Sequence, residues 1–293
     1  IAFRNLMRYK SFSTINILGL SIGLAASLLI ALWVFDELSY DKFHENSKHI
    51  YRIGRHINFD GKTFDVPVTG AIYAPTINGA IPEIEDFTRI YPIELSLKNH
   101  MSDNQEERVF FCDKGFFNIF TFPLEQGDPE IALAEPFSVV LTKDAALAYF
   151  GEEYPMDKML EIEWGDEQKM FRVTGILDEV PTQSHFQFEM LASFETLEEL
   201  MPERLDTWLS NYLYSYVLLH KDATPEDVSH KLRKIVEDNI APAYAAFLPI
   251  GEDLGEIHEI FQITLRPIED IHLKSYLMWD IAPQGNMTTV YTF

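Results

Sequence analysis

The sequence predicts an α+β protein: one N-terminal transmembrane helix, then an exported core in which a split βαβ part carries an inserted mixed α/β part. Three observations point there. Residues 15–35 hold no charge. Strand–helix–strand patterns near 50–97 and again near 212–266 have the same order and read together as a split βαβ pair. Between them lies a different texture of alternating strands, turns and a capped helix.

The apolar run comes first. At 1.5 Å per helical residue, about 21 residues span roughly 30 Å, the hydrocarbon thickness of a bilayer. Arg4, Arg8 and Lys10 precede it, and Asp36, Glu37 and Asp41 follow. Basic flanks stay cytoplasmic, so the N-terminus is expected in the cytoplasm and everything after about residue 36 on the far side. A cleaved signal peptide has a shorter apolar region and a small-residue cleavage site; this run ends in Leu32-Trp33-Val34-Phe35-Asp36. A buried core helix is the other alternative. Trp33 and Tyr40 suit the membrane interface. Gly19, Gly23, Ser27 and Ala31 recur every fourth residue, which places small side chains on one helix face. In lipid such a stripe lets a second helix approach closely, and Gly19–Gly23 has the G-x-x-x-G form.

Composition narrows the function. The net charge is -23, and none of the 46 Asp and Glu precedes residue 36. So acidic an exported surface repels phosphate backbones, which excludes nucleic acid as a partner. It also opposes broad docking on anionic lipid. The one cysteine, Cys112, permits no internal disulfide and reads as a small packed hydrophobe. The chain starts with Ile and stops at Phe293; both ends look cut, as in a fragment.

The remaining elements follow from local pattern. Residues 1–14 mix Phe3, Leu6 and Met7 with bases, an amphipathic interfacial segment. The membrane helix takes 15–35 and a stalk takes 36–48. His49–Asn58 reads as a first strand and Asp60-Gly61 as a hairpin turn. A helical spacing over 72–81 stops at Pro82, and Phe87–Leu97 is a second strand. Val109–Cys112 is a short strand. Phe116, Phe117, Phe120 and Phe122 form an aromatic cluster that reads as core, with a binding surface as the alternative. Gly127-Asp128-Pro129 is a turn. Val139–Thr142 is a strand whose Thr142 caps a helix from Lys143 to Phe150, stopped by Gly151. Leu160, Ile162 and Trp164 alternate with acids, and Phe171 and Val173 alternate back. Residues 194–201 look helical. Tyr212–Leu219 is a strand. Thr224, Pro225 and Asp227 approximate a capping box for a helix whose apolar face is Val228, Leu232, Ile235 and Val236. Phe261–Leu265 is the last strand.

Catalytic motifs are weak. No phosphate loop and no G-x-S-x-G elbow occurs. His44 and His49 lie five residues apart rather than four, which turns the second ring off the first one's helical face. Ser184-His185 puts a hydroxyl beside an imidazole, but neighbouring residues rarely face each other. The nine histidines are scattered, which suits surface and capping roles. Acid pairs such as Asp178-Glu179 and Glu198-Glu199 read as solvated faces. No catalytic, cofactor or metal residues are assigned.

A family resemblance joins these pieces. Arg4-Asn5-Leu6 with Lys10, Ile15–Ala25, Asp36-Glu37-Leu38-Ser39-Tyr40-Asp41 and Phe43-His44 resemble the opening of MacB/FtsX-like ABC transporter permeases. Val140-Leu141-Thr142, Ala148–Gly151, Val173–Leu177 and Val180–His185 are similar to that family's extracytoplasmic core. Pro267–Leu273 resembles the stretch before its second membrane helix. One departure is Asp157, where the family pattern often has Gly. The resemblance implies a periplasmic core with a porter-like βαβ subdomain at 49–100 and 211–275, an inserted subdomain at 101–210, and a lead-in at 276–293 to a second membrane helix outside the chain. It implies a bacterial inner-membrane location and at least four membrane helices. It also implies a homodimer or pseudo-dimer, and a separate cytoplasmic ATP-binding subunit that drives the core by mechanotransmission. A periplasmic adaptor or substrate protein is a further candidate partner. The permease itself would be non-catalytic and without a cofactor. The alternatives are a membrane-anchored extracytoplasmic sensor or adaptor, and an anchored exported hydrolase.

Overall fold

The computed structural model describes residues 10–59, 61–97, 105–245, 260–275, 277 and 279–292. Helix α1 runs from Lys10 to Ser39, 30 residues, or about 45 Å at 1.5 Å per residue. It has the length and composition of a membrane span, and none of its residues is buried by the rest of the chain. The helix continues beyond the apolar run through Asp36 and Glu37, so the first residues of the expected stalk are helical. Of the predicted basic flank, Lys10 opens the helix, while Arg4 and Arg8 lie outside the described residues, as does most of the expected interfacial segment.

The core is built on one mixed sheet. Its strands are β1 (Ile50–Phe59), β2 (Lys62–Val66), β3 (Val68–Thr69), β4 (Ile84–Leu97), β5 (Gln105–Cys112), β6 (Leu124–Gly127), β7 (Ser138–Thr142), β8 (Met159–Trp164), β9 (Glu167–Leu177), β10 (Met190–Ser193), β11 (Leu213–Leu219) and β12 (Phe261–Pro267). The order is β12-β1-β11-β4-β5-β10-β7-β9-β6, with β2 on β1, β3 on β11, and β8 on β4 and β9. Helices α2 (Tyr73–Ala80), α3 (Phe116–Ile119), α4 (Lys143–Phe150), α5 (Glu195–Leu200) and α6 (Pro225–Ile235) connect them. A π-helical turn at Val236–Ile240 leads to α7 (Ala241–Ala245). After β12 come α8 (Ile271–Lys274) and α9 (Met287–Thr292).

Strands β12, β1, β11 and β4 lie side by side and antiparallel, joined as β1–α2–β4 and β11–α6–β12. That is the split βαβ arrangement. Tyr73, Ala74 and Ile77 of α2 and Val228, Leu232 and Ile235 of α6 pack on Ile53, Val217 and Ile263 of this sheet. The apolar spacing of α6 places those three residues on one face. Its start is fixed by a complete capping box, in which the Thr224 side chain accepts from the Asp227 N–H and the Asp227 carboxylate accepts from the Thr224 N–H.

Strand β4 joins the two parts of the core. Ile84–Ile90 pair with β11, and Ile90–Leu97 pair with β5. The sheet therefore passes without a break from the βαβ part into the inserted strands, where parallel pairs (β5 with β10, β7 with β9) mix with antiparallel ones. The expected boundary at residue 100 lies outside the described residues. Three of the four aromatic residues singled out over 116–122 are buried; Phe116, Phe120 and Phe122 form a core layer with Phe110, Phe186 and Phe188. Thr142 caps α4 as its spacing indicates, accepting from the Ala145 N–H. Asp157 adopts φ 61°, a left-handed conformation. Asp tolerates that region better than most non-glycine residues, so the turn keeps the geometry a glycine would supply. Cys112 is a free, fully buried thiol.

Candidate functional site

A set of buried polar groups, among them Asp41, His44, Ser184, His185 and His272, lies where α1 meets the core. Two segments far apart in sequence clasp the end of the helix. On one side, Gln183 donates from Nε2 to Asp36 at 2.6 Å, and its carbonyl accepts from the Asp41 N–H at 2.8 Å. On the other, His272 Nε2 lies 2.9 Å from Glu37 Oε2, and its ring stacks on Tyr40 with centroids 3.5 Å apart. Neighbouring positions at one helix terminus are thus fixed to different parts of the core.

Asp41 is the centre of the first clasp. It is fully buried and sits at φ 59°. Its Oδ1 accepts from the His185 N–H at 3.1 Å. The same oxygen lies 2.8 Å from His185 Nδ1, an ion-pair distance with an angle unlike that of a good hydrogen bond. His185 Nε2 meets the Tyr216 hydroxyl of β11 at 2.9 Å. Burial pushes the Tyr216 hydroxyl far above the ordinary tyrosine range, so it stays neutral. Nearby, His44 Nδ1 accepts from the Thr121 N–H at 3.0 Å, which requires the neutral ring. Burial pulls the His44 pKa down to about 3, against the opposing pull of Asp41.

The second clasp continues into a strap after α8. Arg52 of β1 donates to Asp280 through both Nη atoms, at 2.5 and 3.0 Å, and to Ser275 Oγ at 2.9 Å. Both partners of the ion pair are buried. Burial alone would raise the Asp280 pKa; the Arg52 charge and the hydrogen bonds overcome it and hold the carboxyl below its usual range. Gly285 is the close-approach point of the strap. A Cβ there would stand 2.7 Å from Glu37 Oε2 and 2.8 Å from His272 Nε2. A side chain at this position would have to push the Glu37–His272 pair aside, and the Gly285 N–H donates to the His272 carbonyl.

The arrangement is chemically that of a joint. Ser184 Oγ accepts from the Phe186 N–H, so Ser184 and His185 serve separate contacts rather than one relay. His44, His185 and His272 are buried structural groups, contrary to the surface roles their scattered positions suggest. Their partners are 31 to 235 residues away, beyond any local pattern. Asp36, Glu37 and Asp41, which read as a flanking acidic run, each take a separate partner. Residues 44–49 form turns and a short 3₁₀ helix at Ser47–His49. No group of three or more metal-ligating side chains converges among the described residues.

The small-residue stripe lies apart from this joint. A Cβ on Gly19 or Gly23 would meet nothing within 4 Å, and Ser27 Oγ donates to the Gly23 carbonyl at 2.9 Å. Gly19, Gly23, Ser27 and Ala31 are exposed along α1. Further along, Leu29, Ile30 and Trp33 form a shallow groove with Thr289 of α9.

Comparison with known proteins places this geometry. A family model described as the MacB-like periplasmic core domain matches residues 13–235. A solved domain of a putative permease from Porphyromonas gingivalis is similar, with TM-score 0.61 and 16% identity over 85% of this chain and 97% of that one. The periplasmic region of MacB from Actinobacillus actinomycetemcomitans gives TM-score 0.47 and 16% identity over 64% and 85%. The extracellular domain of the noncanonic ABC-type transporter YknZ from Gram-positive bacteria gives 0.49 and 12% over 73% and 99%. No protein of curated function matches the chain.

Proposed function

Because this chain belongs to the family of MacB-like periplasmic core domains, we propose that it is the membrane-anchored part of an ABC exporter or mechanotransmitter. A separate cytoplasmic subunit hydrolyses ATP, and this chain carries the resulting motion from the membrane to the periplasmic core. It does no chemistry of its own. The N-terminus lies in the cytoplasm, the helix in the inner membrane and the core in the periplasm. The charge pattern around α1 supports that orientation, with Lys10 at one end and Asp36, Glu37 and Asp41 at the other.

The observation that carries the reading is the clasped end of α1. A tether needs a flexible linker. Here the helix runs unbroken into side-chain contacts with both Gln183 and His272. Tilting or sliding of α1 would pull directly on β11 through Asp41, His185 and Tyr216, and on the strap through Glu37 and His272.

The small residues of α1 supply the other half of the reading. Gly19, Gly23, Ser27 and Ala31 form the face against which neighbouring membrane helices pack in a dimer or pseudo-dimer. Affinity purification of the full-length protein from its native membrane tests the proposal: an ATP-hydrolysing subunit is expected to co-purify in stoichiometric amount. A full-length protein that purifies stably without one, and has only a single span, contradicts it.

A further inference from the structure

Trp279 lies in the strap between α8 and α9. It adopts φ 62°, a left-handed conformation that is an outlier for a bulky side chain. Its side chain is 68% exposed, the most of any large apolar residue described outside α1 and α9. The residues after it point the other way. Asp280 is buried on Arg52, and Ile281 packs against the aromatic core layer. The Trp279 carbonyl accepts from the Tyr214 hydroxyl at 2.7 Å. The strap therefore holds the indole outward in a strained backbone. Strain of this kind persists only where the surrounding structure fixes it, and it clusters at functional segments.

The contacts around Trp279 set its level. Arg52, which holds Asp280, is the cross-strand partner of Tyr216. The Tyr216 hydroxyl meets His185, which faces Asp41 just past the end of α1. Further along the strap, Gly285 lies against Glu37 of α1. Beyond it, Thr289 of α9 shares a groove with Leu29, Ile30 and Trp33. The chain after Trp279 thus runs back along the membrane helix, from its acidic end to its apolar run. Between Leu277 and Gly285 the one charged residue is Asp280, which is buried. We propose that Trp279 seats in the lipid headgroup layer on the periplasmic side of the bilayer that α1 spans. The inference rests on the orientation of α1 proposed above. An indole has an apolar body and one N–H donor, which suits the boundary between acyl chains and water. The partner is a neutral phospholipid surface, since a chain of net charge -23 is repelled by anionic lipid. The seat keeps the second clasp at a fixed depth while α1 moves.

Depth-dependent quenching of tryptophan emission tests the seat. The full-length protein is reconstituted in phosphatidylcholine nanodiscs with nitroxides either at the headgroup or at the middle of the acyl chain, and acrylamide probes the water. Parent emission minus that of Trp279→Phe isolates Trp279, and the Trp33→Phe difference isolates Trp33 in the same way. The headgroup nitroxide should quench Trp279 about twofold or more strongly than the mid-chain one. Equal or weaker headgroup quenching overturns the proposal, as does free access of acrylamide without lipid quenching. A Trp279 shielded from both lipid and acrylamide lies under a protein partner, which overturns it too. Trp33 separates this inference from the reading of α1. Lipid quenching of Trp33 with none of Trp279 removes the seat alone, and absence of both removes the span. Should Trp279→Phe fail to fold, the chain with Trp33→Phe, Trp164→Phe and Trp208→Phe keeps Trp279 as its one tryptophan, and its emission is read directly against the same outcomes.

Discussion

At Asp41 a single side chain ties together three stretches of sequence. It is fully buried and faces His185, which in turn meets Tyr216. Asp41 Oδ1 accepts from the buried His185 N–H, and removing the acceptor leaves that donor unsatisfied, so Asp41→Ala should destabilise the core by about 1–3 kcal/mol, read as a lowered denaturant midpoint of the detergent-solubilised chain. Asp280→Ala strands the buried Arg52 and should cost about 3–5 kcal/mol by the same measurement. His44 gives a pH prediction. Its folded pKa, about 3, lies below the ordinary 6.5. The unfolded chain therefore binds a proton that the native chain refuses over that interval. Stability from this group is complete above about pH 6.5 and falls as the pH drops toward 3, with a slope of up to about 1.4 kcal/mol per unit. The depressed Asp280 carboxyl adds loss at the acid end. In His44→Asn the slope between pH 6 and 4 should be shallower than in the parent; equal slopes would show that His44 does not contribute.

Most elements are legible in the sequence because their signals are local. The capped starts of α4 and α6, the alternation in β8 and β9, and the charge-free run of α1 all lie within a few residues of each other. What escapes is pairing at a distance. Strand β10 is short and fully buried, so it has no alternation to see. The hairpin strand β2 is mostly exposed and polar. The joint escapes most completely: nothing near His272 in sequence announces Glu37, 235 residues away. The acids after α1 read as a solvated flank because a run of charge has no visible partner. Gly285 gives the element-scale test of the strap. Gly285→Ala forces a Cβ onto the Glu37–His272 pair. Hydrogen exchange in residues 36–44 and 270–290 should quicken, while protection in α4 stays unchanged. Protection unaltered in both clasp segments would remove the strap from the account.

At the scale of the molecule, the proposed transmission of motion needs one continuous path, and the unbroken sheet and the clasped helix are what support it. Strand β4 extends the path into the inserted strands, since its two halves pair with β11 and β5. Much of the surface of α1 is left uncovered by the described chain, with Leu20, Ile22 and Leu24 all well exposed. Gly23→Leu should disturb helix association and ATPase coupling while leaving the core folded; unchanged association and coupling would remove the stripe from the assembly. The buried state of Cys112 makes spin labelling at introduced cysteines clean. The most direct measurement is the distance between labels at Glu163→Cys in the two copies of a reconstituted assembly, with and without trapped ATP. The account predicts a nucleotide-dependent change in that distance in the parent, and its loss when Asp41→Ala and Gly285→Ala loosen both clasps. A change that survives the double substitution, or no change in the parent, would contradict the claim that this joint carries motion.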